Sequence, residues 1–277
     1  WTGWLGRRVH GRRPSAGARV LGAGRLEDCP IIDMHGHLGP WPSIFFPRAE
    51  PEQMLRSMDN AGVRTLVFSS HEALFRPDTG NDYTAAVVRR WPDRFRGMMV
   101  INGNYMDIVE RDVARFDRMR DAFLGFKFLP SYHGVAMDDP RYDDVWRFAA
   151  ERRLPVTVHT WGQGDQNNVR NVESVACRFP EVRLLLAHSL HGRWEDAARL
   201  ATSYPHVYLD LTAVFECRGT LELFAERGAS RRLLFGTDLP WFSPLQGIGC
   251  VLSAEISDDD RRSIFHRNAE PLIASGM

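Results

Sequence analysis

The segment Ile31-Ile-Asp-Met-His-Gly-His37 places two imidazoles two residues apart, with a carboxylate two residues before the first. In an extended strand such residues share one face, so Asp33, His35 and His37 point the same way. Two protonated imidazoles side by side would repel, whereas a divalent cation holds both neutral and gains two nitrogen ligands. Four more reactive groups close or sit within apolar runs elsewhere: Lys127 in FLGFKFL, His159 in PVTVH, His188 in VRLLLAH and Asp238 in RLLFGTD. With His159 and Asp238 beside the His-x-His pair, the donor set suits a metal. Lys127 is the only lysine among 35 basic residues. Unlike a guanidinium, its amine can lose its proton when buried. His10, His206 and His266 read as ordinary satisfied polar residues.

These groups lie at the ends of a regular series. Eight short apolar runs, rich in Val, Ile, Leu and Phe, start at residues 29, 63, 96, 123, 155, 182, 206 and 232. Segments with helical spacing separate them, among them PEQMLRSMDNAG and DPRYDDVWRFAAERR, the latter opening on Asp139 and Pro140 as a cap and first turn. Ser257 and the three aspartates after it start a last helix, DDDRRSIFHRNAEPLI. Eight strand-helix units in about 250 residues predict an α/β chain folded as a single (β/α)8 TIM barrel. No G-x-G-x-x-G follows any strand, so a dinucleotide fold lacks its usual support.

Side-chain alternation predicts that Val156 and Val158 face the helices while Thr157 and His159 face the axis. By the same rule Gly125 and Lys127 point inward, Leu184 and Leu186 share the face of His188, and Gly236 that of Asp238. Active-site groups of a parallel barrel come from the C-terminal strand ends, which is where these residues fall.

Composition excludes several classes. The formal net charge is zero, so nothing global points to nucleic acid or an anionic membrane. No apolar run approaches the roughly 20 residues of a spanning helix. The cysteines Cys29, Cys177, Cys217 and Cys250 form no C-x-x-C and suit reduced thiols of a cytoplasmic protein. Residues 1–28 precede the barrel of residues 29–277 as an extension with six arginines and no acidic residue before Glu27. We expect a surface arm there, with Trp1 and Trp4 available for docking in a homo-oligomer.

With these motifs in view, the chain resembles the amidohydrolase superfamily, specifically the amidohydrolase-2 group of aminocarboxymuconate-semialdehyde decarboxylase-like enzymes and lactonases. The resemblance runs from Ile31 to Ile273 and is carried by IIDMHGH, by GFKFLPSYHGVAMDDPRYDDVWRFAAERRLPVTVH, and by LLLAHS, YLDLT, LLFGTD and HRNAEPLI. It implies a distorted barrel and a divalent metal, usually zinc, held by His35, His37, His159 and Asp238, with His188 assisting catalysis or touching a second metal. At the position of Lys127, binuclear members carry a carbamylated lysine bridging two metals. The alternative is an unmodified ammonium paired with Asp33, Asp210 or a substrate carboxylate.

The implied reaction is hydrolysis of a small-molecule amide, ester or lactone by a metal-activated water, with Asp238 taking its proton and His188 polarising the carbonyl. The alternative is nonoxidative decarboxylation of an aromatic or unsaturated acid. A noncatalytic scaffold would have no need of the polar cluster. Loop residues His71, Glu72, Tyr132, His133, Trp161, Phe215, Trp241 and Phe242 are the expected pocket wall for a flat substrate, with Arg76 or Arg170 as a carboxylate clamp.

Overall fold

The structure, a computed structural model, describes residues 28–161 and 164–274. The expected arm of residues 1–28 therefore lies outside the described residues, save Asp28. Eight parallel strands follow one another around a barrel in chain order: β1 (Ile31–Leu38), β2 (Val63–Ser70), β3 (Phe95–Ile101), β4 (Phe123–Phe128), β5 (Pro155–His159), β6 (Arg183–Ala187), β7 (Val207–Asp210) and β8 (Leu233–Leu234). This is the TIM-barrel architecture expected from the eight runs. No β8–β1 ladder closes it. Instead, the segment after β8 bonds to β1 through Met34 N–H to Phe235 O, His37 N–H to Leu239 O and Asp238 N–H to His35 O, at 2.7–2.8 Å.

The local signals behave as their chemistry demands. Pro51–Ala61 forms the helix after β1, and Gly62 ends it in a left-handed conformation at φ 74°. Asp139 accepts from the Arg141 N–H, opening a single 3-10 turn that leads into the helix Asp143–Glu151. The last segment departs from a continuous helix. A π-helical turn at Ser263–Arg267 interrupts it between Asp258–Arg262 and Glu270–Ala274, where Asn268 turns its side-chain amide to the carbonyls of Ser230 and Leu233.

Two apolar cores flank the sheet. The outer one packs strand residues such as Phe126, Phe128, Val156, Val158, Leu184 and Leu186 against helix residues such as Trp146 and Val175. The inner one joins Ile32, Met34, Val67, Met98, Leu124, Leu185 and Leu234 with Ala269 and Leu272. Side chains from six strands can meet only inside the barrel. Burying each contributes roughly 1.5–3 kcal/mol before entropy is set against it.

The alternation rule holds for β5 and fails in two places. Leu184 and Leu186 face the helices and Leu185 the axis, so they do not share the side of His188. Beyond Ala187 the chain leaves the strand, and His188, Ser189 and Leu190 take left-handed backbone at φ 65°, 50° and 52°, which resets the direction of each side chain. In β4, Phe123 and Phe126 both join the outer core while Leu124 lies inside, because the β3–β4 register shifts beside Gly97. Gly125 lies at that irregularity, with a would-be Cβ 1.8 Å from Pro155 O; only glycine lets the two strands approach there.

Candidate metal centre and active site

His35 sits at the middle of the polar end. Its Nδ1 faces Asp210 Oδ2 at 2.5 Å, which places the proton on Nδ1 and leaves a lone pair on Nε2. His37 is fixed the same way, its Nδ1 donating to Ser69 O at 3.1 Å. Both free nitrogens face one carboxylate oxygen: Asp238 Oδ1 lies 3.4 Å from His35 Nε2 and 3.1 Å from His37 Nε2. Three acceptor atoms thus converge, and neither imidazole has a proton to place between itself and the carboxylate. Such a group is stable around a cation. The donor atoms of His35, His37 and Asp238 lie within 4.8 Å of one another, and all three residues are buried. The side chains fit a divalent metal ion.

The backbone is strained to make this set. Asp238 is held at φ 61°, uncommon for a residue with a side chain. Beneath it Asp210 is locked, Oδ1 accepting from the N–H and hydroxyl of Thr212 at 2.9 and 2.7 Å. Gly236 faces this polar interior as well. Any Cβ there would stand 2.2 Å from Asp210 Oδ1, so the glycine makes room for the carboxylate that orients His35.

Electrostatics follow from burial. Desolvation pushes the His37 pKa down to about 3 and that of His188 to about 4, so both rings are neutral and available as ligands or acceptors near pH 7. His159 is driven well below its ordinary value, first by burial and then by His188 and Lys127. Burial alone would raise Asp238, but the imidazoles of His35, His37 and His188 outweigh it and hold the carboxyl well below the usual range. Asp33 goes the other way: burial, helped by nearby Asp210 and only partly offset by the hydrogen bonds it accepts from Thr237 and His35, raises it to about 8.

A cavity of about 210 Å³ opens onto the cluster, lined by His37, Lys127, His159, His188 and Asp238 and by the aromatic rings of Trp41, Tyr132, Trp161, Trp241 and Phe242, with Leu74 and Leu129. His188 donates from Nδ1 to Thr212 O at 3.3 Å, leaving Nε2 as acceptor. His159 lies 4.8 Å from His188, ring to ring, on the cavity wall and outside the tight group of three donors. Lys127 sets its amine 2.8 Å from His35 Nε2. Its pKa is lowered by burial to about 8.

The expected pocket residues divide. Tyr132, Trp161 and Trp241 line the cavity, as does Phe242. His71 has both nitrogens occupied, Nδ1 donating to Gly39 O at 2.7 Å and Nε2 accepting from Trp241 Nε1 at 3.0 Å; it clips Trp241 in place. His133 turns its Nε2 to Leu74 O at 2.7 Å, away from the cavity. Phe215 belongs to a separate small cavity beyond Phe242. Arg76, with Glu72, lines a cavity of about 470 Å³ on the far side of Trp41, and Arg170 sits exposed at the start of the helix Val169–Arg178.

Two functional residues escaped the sequence reading. Trp41 follows the first strand in a Gly-Pro-Trp turn, an aromatic in the right loop that could have been flagged. Asp210 ends β7 and was considered only as a partner for Lys127, although the strand-end rule that selected Asp238 applies to it equally.

Comparison with known proteins bears on the family and the fold. The family model described as Amidohydrolase matches residues 32–273. A 100-residue stretch is 35% identical to Protein fluG of Emericella nidulans, covering 32% of this chain but only 11% of that protein. Gamma-resorcylate decarboxylase of a Polaromonas species is 21% identical over 80% of this chain and 86% of its own length. Among solved structures, 5-carboxyvanillate decarboxylase of Novosphingobium aromaticivorans, complexed with manganese and 4-hydroxy-3-methoxy-5-nitrobenzoic acid, superposes with a TM-score of 0.70 at 13% identity, covering 89% of this chain and 96% of that one.

Proposed function

The chain belongs to the amidohydrolase family, and on that premise we propose that it is a metal-dependent nonoxidative decarboxylase of a small hydroxylated aromatic acid. The observation that carries the reading is the cavity itself. Five aromatic rings wall a space of about 210 Å³ whose polar end holds a metal-binding donor group, the shape and chemistry of a slot for one flat ring. Of the two reactions expected from the sequence, decarboxylation also has the support of relatives named for it.

His35, His37 and Asp238 would hold the ion, with His159 the nearest further imidazole donor. Their nitrogen-rich set favours zinc; the manganese of the Novosphingobium enzyme favours that ion as the second choice. When bound, the metal supplies a Lewis acid that polarises the oxygens of the ligand. Decarboxylation requires one proton to reach the ring carbon bearing the carboxylate. The carbon-carbon bond then breaks, its electron pair restores the aromatic ring, and carbon dioxide leaves. Asp238, ionised at rest, takes the proton of the ring hydroxyl and passes it to that carbon. His188 Nε2, neutral and unoccupied, accepts a hydrogen bond from the ligand and orients it. The rings of Trp161 and Tyr132 keep water from the reacting carbon.

Hydrolysis is the second reading, favoured by the same carboxylate, which would serve as well to take a proton from water. Incubating the metal-loaded protein with 2,6-dihydroxybenzoate and related hydroxybenzoates, and separately with aryl esters and lactones, separates the two. Release of carbon dioxide from the first set with none of the second hydrolysed is the expected result, and the opposite pattern overturns the proposal.

A further inference from the structure

Lys127 is the only lysine of the chain and the only lysine or arginine lining the metal-side cavity. The arginines described in ion pairs lie elsewhere, on the helical surface, as in Arg89–Asp121, Arg152–Asp117 and Arg227–Glu195. The Lys127 ammonium is 2% exposed, yet no carboxylate comes within ion-pair distance of it among the described residues; neither the Asp33 nor the Asp210 pairing expected from sequence is formed. Its one polar contact is the lone pair of His35 Nε2 at 2.8 Å, the same lone pair a metal ion would take. One lone pair cannot serve both, so loading of the site leaves the amine without a partner in a place where an unpaired charge is costly. One step across the β4–β5 ladder, in register with Lys127, Thr157 adds a buried hydroxyl that also has no hydrogen-bond partner.

We propose that Lys127, unmodified and backed by Thr157, is the anchor for the carboxylate of the ligand, and so the residue that restricts this site to organic anions. The three N–H groups freed when the His35 lone pair is taken, with the Thr157 hydroxyl beside them in the ladder, meet the carboxylate oxygens, and the aromatic wall takes the ring. The ammonium is a compact point charge, whereas a guanidinium is a planar fork of five donors. The proposal rests on the decarboxylase reading for the identity of the acid, but not for its charge.

The test compares binding of benzoate and of its neutral counterpart benzamide to metal-loaded protein by calorimetry. Wild type is expected to prefer benzoate. Lys127→Met should weaken benzoate by about 10- to 100-fold, the loss of a charge-assisted pair, and leave benzamide unchanged. Replacing a buried ammonium with an apolar side chain of similar length keeps the fold intact. Thr157→Val should weaken benzoate in the same sense by a smaller factor.

Equal weakening of both ligands, or unaltered benzoate binding in Lys127→Met, overturns the anchor. So does a carbamate resonance, absent from Lys127→Met, in wild-type protein equilibrated with carbon-13 bicarbonate. If the benzoate preference depends on Lys127 while no hydroxybenzoate releases carbon dioxide, the anchor stands and the decarboxylase reading falls.

Discussion

At one end of the barrel axis Ile32, Met34, Val67, Met98, Leu124, Leu185 and Leu234 pack against the last helix through Ala269 and Leu272. At the other end, His35 follows Met34 by one residue, Lys127 follows Leu124 by three and His188 follows Leu185 by three. The two regions share strands, burial and neighbours, and differ in what their side chains need. The plug asks only for volume, so its residues find partners in any direction. The polar end asks for acceptors, donors and a cation in fixed directions, and five of the six non-glycine residues with left-handed backbone in the described chain gather there: His188, Ser189, Leu190, Ala213 and Asp238, the sixth being Arg153 just before β5. Stability is concentrated at one end of a shared set of strands, and strain at the other.

The sharpest way to separate the regions is to remove one group from each. Asp238→Asn should lower turnover by about 1,000-fold while the melting temperature of the metal-free protein stays the same or rises, since a buried carboxylate is gone. A large loss of stability in that variant would mean that the polar end also holds the fold together. Leu185→Ala in the plug should do the reverse, costing about 2–5 kcal/mol in denaturant unfolding with the specific activity of the folded fraction unchanged. Lost activity at full stability would show that the ends are not independent.

A gentler contrast comes from pH. In the metal-free protein His37 and His188 are neutral down to about 3 and 4, whereas the unfolded chain protonates them near 6.5. Between those limits the unfolded state binds more protons, so the contribution of these two rings to stability is fully present above pH 6.5 and declines as pH falls, by about 5 kcal/mol for His37 and about 3 kcal/mol for His188. Unfolding midpoints of metal-free protein that are flat from pH 7 to pH 4.5 would contradict the burial assigned to these rings. Bound metal should move the decline to lower pH.

How much of this was legible in the sequence follows the same division. All eight strands and the end of the barrel that carries chemistry could be read from apolar runs and from the residues closing them, because those depend on composition and period. Facing directions beyond β6 could not, since left-handed backbone at His188 to Leu190 comes from tertiary packing rather than from any residue that demands it. Glycine was read only for its facing direction. At Gly125 and Gly236 the signal was the missing side chain itself, where Pro155 O and Asp210 Oδ1 approach. His71 and His133 have the residue type of a site, but their hydrogen-bond partners, Trp241 with Gly39 O and Leu74 O, come from parts of the chain that no local pattern connects to them.

Titration of zinc or manganese into metal-free protein bears most directly on the converging lone pairs of His35, His37 and Asp238. Wild type is expected to take up one ion per chain with high affinity, and His35→Ala and His37→Ala each to lose that binding while remaining folded. Uptake that is the same in all three proteins, or absent from wild type, would contradict a metal centre at this end of the barrel.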